Sequence, residues 1–215
     1  MSELNQVATL LQQAQNVLVF TGAGISTGSG IPDFRGPQGI WKSRQPVYYD
    51  EFMTSESKRV EHWDYKLEGY AGFLQARPNA AHLALVQLEQ LGKLDTLVTQ
   101  NIDGLHHRAG PMCQERILEL HGSNRLVECQ TCGEQSDPAA AFQEFRQTRS
   151  CPRCHCGGFL KTATVSFGQA MPARLLEKAF EAAERADLAI SLGSTLSVEP
   201  AASVPRRAAQ RGVPY

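Results

Sequence analysis

The segment that decides the fold is 17–24, which reads VLVFTGAG. A short apolar run that stops at glycines is typical of a buried strand followed by a loop. The amphipathic pattern from Leu4 to Gln15 predicts a helix before it. Because glycines lack side chains, backbone amides at 22–24 can approach a pyrophosphate closely. The segment therefore indicates a dinucleotide site, with a tight strand-to-helix connection as the alternative.

Helical and strand patterns alternate along the rest of the chain. Apolar residues recur at helical spacing over 78–91, 172–185 and 200–210, and short apolar runs at 94–98 and 188–192 predict strands. This alternation predicts an α/β fold, a Rossmann-like parallel sheet with helices on both faces.

Polar residues follow the predicted strands, where open parallel sheets place their ligands. Gln100, Asn101 and Asp103 suit ribose hydroxyls and a carboxamide, although Asn101 and Asp103 could instead cap the next helix. Gly193 and Ser194 follow another predicted strand and could face phosphate or ribose, or form a plain helix cap.

Two further candidates depend on side-chain chemistry. Asp33, Phe34 and Arg35 place an acid, an aromatic ring and a cation together, a combination that can bind a charged cofactor or belong to a solvated loop. His121 follows the predicted strand at 117–120 and can accept a proton near neutral pH. The alternative for His121 is a surface or structural histidine.

Four cysteines form two Cys-x-x-Cys pairs separated by eighteen residues, namely Cys129, Cys132, Cys151 and Cys154. This spacing predicts one structural zinc held by four thiolates, with a redox role as the alternative. Cys156 could replace Cys154 as the fourth ligand, but the two-residue gap favours Cys154. The zinc module is expected at 125–160, inserted between two parts of a Rossmann-type domain at 1–124 and 161–215. Because the last residues resemble the start of a strand, we expect the second part to be truncated.

Composition limits the possible partners. A formal net charge of −1 argues against a dedicated nucleic-acid or anionic-membrane binder. The N-terminus has no basic region followed by an apolar run, and no stretch is long enough to span a bilayer. We expect a soluble, cytoplasmic protein.

Together these segments resemble the sirtuin family, in the family's order. The matching motifs are Gly22-Ala23-Gly24-Ile25-Ser26, Gly30 to Arg35, Thr99 to His106, Leu120-His121-Gly122, the cysteine pairs, Phe167-Gly168, Gly193-Ser194 and Val198 to Ala201. The segment 32–41 is most similar to the branch of nuclear-type sirtuins and their bacterial relatives.

The resemblance implies an NAD-dependent protein-lysine deacylase that gives nicotinamide and O-acyl-ADP-ribose. Gly22, Ala23, Gly24, Ser26, Asp33, Phe34, Arg35, Gly193 and Ser194 would then bind NAD, with Gln100, Asn101 and Asp103 around the nicotinamide ribose. His121 would be the general base, and Asn101 a second catalytic residue. Val165 to Gly168 resembles the strand that pairs with acylated-lysine peptides.

Three points qualify this resemblance. Gln169 stands where the family usually has Glu. Tyr65 and Tyr70 are not followed by arginine at the spacing of the branch that removes acidic acyl groups, so neutral acyl groups, acetyl or longer, are expected. Protein mono-ADP-ribosylation and a non-catalytic NAD-binding module are the alternative functions.

Overall fold

The computed structural model describes residues 2–36 and 39–215, so Pro37 and Gln38 of the motif at 32–41 lie outside the described residues. The helices are α1 (Glu3–Gln13), α2 (Tyr49–Thr54), α3 (Glu56–Gln75), α4 (Ala80–Gln90), α5 (Leu105–Arg108), α6 (Pro138–Thr148), α7 (Ala173–Arg185) and α8 (Ser203–Gln210). The strands are β1 (Val17–Thr21), β2 (Leu94–Thr99), β3 (Ile117–Glu119), β4 (Gly122–Cys129), β5 (Gln135–Ser136), β6 (Leu160–Thr164) and β7 (Leu188–Leu192).

A parallel sheet in the order β3-β2-β1-β7 forms the larger part of the fold. All five residues of β1 are buried, because this strand lies inside the sheet and both of its faces are covered. Thr21 at the end of β1 pairs with Thr99 of β2 and with Leu192 of β7. The three strands therefore end at one edge, and the segments that follow them meet there.

Helices cover both faces of this sheet, as predicted. On one face, alanines of α7 and α8 pack against Leu18, Phe20 and Val98. On the other face, Leu85 and Val86 of α4 pack against the opposite side of the strands, together with residues of α1. Small alanine side chains allow α7 to approach the sheet closely.

A second sheet has the antiparallel order β5-β4-β6. It begins at Gly122 and ends at Thr164, beyond the predicted module bounds of 125–160 on both sides. Phe142 and Phe145 of α6 pack on it, and so do Phe52 of α2 and Trp63 of α3. These last two helices lie within 1–124, yet they share a core with the cysteine-bearing module.

Local signals explain several element ends. The Asn79 side chain accepts hydrogen bonds from backbone amides at the start of α4, and Asp137 caps α6, where Pro138 follows as the first helical residue. The segment 165–168, predicted as a strand, lies outside the seven strands because β6 ends at Thr164 and a turn follows at Phe167 and Gly168. Across the described residues, no helix combines the length and apolar character needed to cross a membrane.

Candidate functional site

Two glycine-containing loops meet at the carboxyl edge of the parallel sheet. The Gly22 amide donates to the Leu192 carbonyl at 3.0 Å, and the Gly24 amide donates to the Gly193 carbonyl at 2.8 Å. A Cβ atom at Gly24 would lie 2.8 Å from Gly193 Cα, and Gly193 itself has a φ of +65°. The glycines are therefore needed first for backbone-to-backbone contact between the loops.

A buried polar cluster lies beside these loops. Ser26 Oγ donates to Asp103 Oδ2 at 2.7 Å, and Asn101 Nδ2 donates to Ser26 Oγ at 3.2 Å. The Leu105 amide, in the first residue of α5, donates to Asp103 Oδ1 at 2.8 Å, although the N-cap residue of this helix is Gly104 and not Asp103. The structure thus brings three predicted cofactor residues, Ser26, Asn101 and Asp103, into one hydrogen-bonded group.

Gln100 joins this edge to the loop after β7 and to the histidine. Ser194 Oγ donates to Gln100 Oε1 at 2.8 Å, and His121 Nδ1 lies 3.1 Å from the Gln100 carbonyl oxygen. Because a carbonyl oxygen only accepts, Nδ1 carries the proton and Nε2 keeps its lone pair. Burial lowers the pKa of His121 below its ordinary value of 6.5, and the Arg35 cation lowers it further, against the opposing effect of the Gln100 hydrogen bond. His121 is therefore a neutral base at neutral pH.

A cleft of about 130 Å³ opens between the two glycine-containing loops. Its lining brings together most of the residues predicted from the sequence: Gly22, Ala23, Gly24, Asp33, Phe34, Arg35, Gln100, Asn101, His121, Gly193 and Ser194. Asp33 Oδ1 accepts a hydrogen bond from the Gly36 amide at 3.0 Å, which shapes the loop that carries Phe34 and Arg35.

A larger cavity of about 820 Å³ adjoins the cleft. His121, Gln100, Phe34 and Arg35 line both spaces. The rest of its wall includes aromatic, apolar and polar side chains that the sequence patterns did not single out as site residues, such as Trp41, Tyr65, Lys66, Ile102, Thr164 and Met171. These residues come from α3, β6 and loops whose patterns show burial but not what they face.

The cysteine cluster differs from the predicted ligand set. The Sγ atoms of Cys129, Cys132, Cys154 and Cys156 all lie within 4.8 Å of one another. The sulfurs of Cys129 and Cys156 are 3.5 Å apart, and those of Cys132 and Cys154 are 3.8 Å apart. Zinc bound tetrahedrally by four thiolates holds its sulfurs about 3.8 Å apart. The cluster therefore fits zinc. Its fourth member is Cys156, which replaces Cys151 of the predicted set, whereas the alternative considered from the sequence was that Cys156 replaces Cys154.

Cys151 lies outside this cluster for a packing reason. It is packed against the core that contains Trp63 and Phe145, and its thiol donates to the Leu160 carbonyl at 3.5 Å. Its sulfur therefore belongs to this core and not to the group of four sulfurs.

His106, the last residue of the motif at 99–106, has a structural position. Its Nε2 lies 2.9 Å from Thr21 Oγ1, and its ring centroid is 4.8 Å from that of His82. Burial lowers the pKa of His106 to about 3. His106 therefore contacts Thr21, the last residue of β1, and lies behind the site.

Comparisons with known proteins agree with this geometry. A model of the Sir2 family matches residues 22–200. The chain is 41% identical over 212 residues to an NAD-dependent protein deacetylase of Rhodopseudomonas palustris, covering 98% of this chain and 83% of that protein. A protein of the same name from Thermodesulfovibrio yellowstonii is 40% identical over 211 residues, covering 98% and 81%.

Solved structures match over nearly the whole chain. A Sir2 complex with a p53 peptide and NAD+ superposes with a TM-score of 0.87 at 35% identity, covering 98% of this chain and 84% of that chain. A histidine-to-alanine Sir2 variant with a deacetylated p53 peptide and 3'-O-acetyl ADP ribose gives a TM-score of 0.90 at 35% identity, with the same coverage. The chain belongs to the Sir2 family, whose members are the sirtuins.

Proposed function

We infer that this chain is an NAD-dependent protein deacylase that removes acetyl groups from lysine side chains. The observation that carries this inference is that His121 lines both the cleft between the glycine-containing loops and the larger cavity beside it. One imidazole can therefore serve a cofactor and an acyl-lysine that enter from different sides. Relatives named NAD-dependent protein deacetylase, and Sir2 complexes with NAD+ or acetyl ADP ribose, support it.

The cleft between the glycine-containing loops is the proposed site for part of the dinucleotide. A Cβ atom at Gly22 or Gly24 would come within 3 Å of the Gly193 and Ser194 segment, so only glycine permits this arrangement of the two loops. We assign Gly22, Ala23, Gly24, Asp33, Phe34, Arg35, Gly193 and Ser194 to binding the phosphates and the adenosine side. When bound, NAD supplies the sugar carbon that receives the acyl oxygen, with nicotinamide as the leaving group.

The buried polar cluster and Gln100 would bind the nicotinamide side. Ser26 and Asp103 are buried and hydrogen-bonded, which fixes the side chain of Asn101 beside the cleft. The backbone amide of Asn101 also donates to Thr99 Oγ1 at 3.0 Å. We assign Asn101 a catalytic role in orienting the reacting groups, and Gln100 a role in binding.

His121 would act as the general base. Its Nδ1 donates a hydrogen bond to the Gln100 carbonyl, so the lone pair on Nε2 is the proton acceptor. In this assignment Nε2 would accept the proton of a sugar hydroxyl of the bound cofactor and so make that oxygen a nucleophile towards the acyl carbon. With one water molecule consumed, the products would be free lysine, nicotinamide and O-acyl-ADP-ribose.

The acylated peptide would lie along 165–168. The Val165 amide donates to the His121 carbonyl at 2.9 Å, which ties this segment to the general base. The Tyr49 amide donates to the Phe167 carbonyl at 2.9 Å. A peptide that adds a strand here gains affinity through main-chain bonds, so many sequences are accepted. Acylated-lysine proteins are therefore the proposed partners.

The zinc is proposed to be structural. Four thiolates fill a tetrahedral coordination shell and leave no position for water or substrate. Reduced, metal-binding thiols are typical of a reducing compartment, and we propose the cytoplasm on that basis.

The test is whether nicotinamide release depends on acyl-lysine. Purified protein is incubated with NAD and one peptide carrying either acetyl-lysine or unmodified lysine, and nicotinamide is quantified. We expect release with the acetylated peptide only. Equal release with both peptides, with ADP-ribose attached to protein, would indicate ADP-ribosyl transfer. Intact NAD in all samples would indicate a non-catalytic module.

A further inference from the structure

The sulfur of Cys154 belongs to two groups of possible metal ligands. On one side it is a member of the cluster of four sulfurs described above. On the other side it lies with Glu134 and His155, and the three ligand atoms of this second group are within 4.8 Å of one another. Cys154 therefore stands at the boundary between the structural zinc site and a second set of donors.

The backbone around the second group is held in place by hydrogen bonds. The Glu134 carbonyl accepts from the Cys129 amide at 2.9 Å, at the end of β4. On the other side, the Cys154 amide donates to the Gly158 carbonyl at 2.9 Å, and the Gly157 amide donates to the Cys154 carbonyl at 2.8 Å. The two segments that supply the donors are thus fixed by the same turns that carry the cysteines.

The distances within the second group match those between ligands of one tetrahedral ion. Cys154 Sγ lies 3.5 Å from His155 Nδ1 and 3.4 Å from Glu134 Oε2. Zinc with bonds of ordinary length holds a sulfur about 3.6 Å from a nitrogen or an oxygen ligand. His155 Nδ1 and Glu134 Oε2 are 2.9 Å apart and would have to separate by about 0.5 Å. Both side chains are more than half exposed, so they have room to do so.

The charge around Cys154 favours a second cation. Zinc bound by four thiolates carries a net charge of about −2, and the Glu134 carboxylate adds negative charge beside it. The guanidinium of Arg153, the residue before Cys154, is directed elsewhere, since it donates to the Gly157 carbonyl at 2.8 Å and lies 4.3 Å from the Phe159 ring. A thiolate and an imidazole select zinc-like ions, whereas magnesium and calcium prefer oxygen ligands alone.

We propose that Glu134, Cys154 and His155 form a second binding site for a zinc-like divalent cation, in which the Cys154 sulfur bridges this ion and the structural zinc. Three protein ligands leave the fourth tetrahedral position to solvent, so this ion exchanges more readily than the structural zinc, whose four positions are filled by cysteines. No redox step is involved. The ion accepts lone pairs from the thiolate, from the neutral imidazole and from the carboxylate.

The test is a cobalt titration of the zinc-loaded protein. Co²⁺ bound tetrahedrally by sulfur and nitrogen absorbs visible light, so absorbance follows binding, and atomic emission then measures zinc and cobalt in the gel-filtered protein. We expect one cobalt to bind per chain while one zinc per chain is kept. His155→Ala and Glu134→Gln should each weaken cobalt binding by at least about 10-fold and leave the zinc content unchanged. Glu177→Gln, which neutralises an exposed acid of α7, is the matched control and should bind cobalt as the unaltered protein does.

Three results would overturn the proposal: no cobalt bound beyond the zinc, cobalt that binds only as zinc is released, or cobalt binding that is unchanged in both ligand variants. The first two are measured on the unaltered protein and do not depend on the folding of any variant. Loss of zinc from His155→Ala or Glu134→Gln would also contradict it, because that result would assign the residue to the structural site.

Discussion

His121 combines a fixed orientation with a pKa suited to a base. The Gln100 carbonyl holds Nδ1, and burial keeps the ring neutral at neutral pH. The position of His121 could be predicted from sequence because it follows a short strand, and parallel strands end at one edge. The hydrogen bond to Gln100 could not be predicted, since it depends on how two loops pack.

The pH dependence of the reaction should report this imidazole. Its pKa is lowered from 6.5, and the neutral form is the active one. Activity should therefore be complete at neutral pH and fall as the pH decreases through the lowered pKa. We expect the acidic limb of kcat/KM for the acetylated peptide to have its midpoint below 6.5. A midpoint above that value would contradict the assigned environment of His121.

Replacing the imidazole tests its role directly. His121→Ala should lower product formation by at least about 100-fold, because the imidazole proposed as general base is removed, while NAD binding measured by calorimetry is largely kept. His107→Ala is the control, since His107 pairs with Glu119 at 3.4 Å and lines neither cavity. Wild-type turnover by His121→Ala would remove this residue from the role.

At the scale of elements, the loops that follow β1 and β7 require glycine for close backbone contact with each other, and not only for a positive φ as an ordinary turn does. Gly193→Ala would place a Cβ in collision with the Ile25 amide nitrogen, in addition to the strain of a positive φ. Gly92 also has a positive φ, but nothing lies within 4 Å of its added Cβ.

Urea denaturation of the two alanine variants separates these effects. We expect the free energy of unfolding to fall by about 1 kcal/mol for Gly92→Ala and by at least twice that for Gly193→Ala, which should also weaken NAD binding. Equal losses in stability, with unchanged NAD binding, would show that contact between the loops is not needed for the cleft.

The cysteine module gives a second test at this scale. Cys156→Ser should lose zinc and become sensitive to protease, because a thiolate of the cluster is removed. Cys151→Ser should keep zinc, because its sulfur lies in the apolar core. Metal content measured by atomic emission checks both variants. Zinc retained in Cys156→Ser and lost in Cys151→Ser would restore the ligand set predicted from spacing.

Spacing alone could predict a zinc site but not its fourth ligand. The sequence from Cys151 to Cys156 offers three cysteines for two positions, and which two face the metal depends on the turn and bridge between 153 and 159. The association of α2 and α3 with the small sheet could not be predicted either. An apolar stripe on a helix shows that one face is buried, but not against which sheet. The division of the chain into 1–124, 125–160 and 161–215 stays a prediction.

At the scale of the whole molecule, function arises where the two sheets approach each other. The parallel sheet contributes the loops after β1, β2, β3 and β7, and the small sheet contributes β6 and, through its shared core, α3. The cleft and the larger cavity meet at His121 between these parts. We therefore expect one reaction that consumes both ligands together.

The most direct test of this claim is mass spectrometry of a reaction containing the protein, NAD and an acetyl-lysine peptide. We predict deacetylated peptide, nicotinamide and O-acetyl-ADP-ribose in equal molar amounts at every time point. Deacetylated peptide that accumulates with free acetate while NAD stays intact would contradict a shared site for cofactor and acyl-lysine.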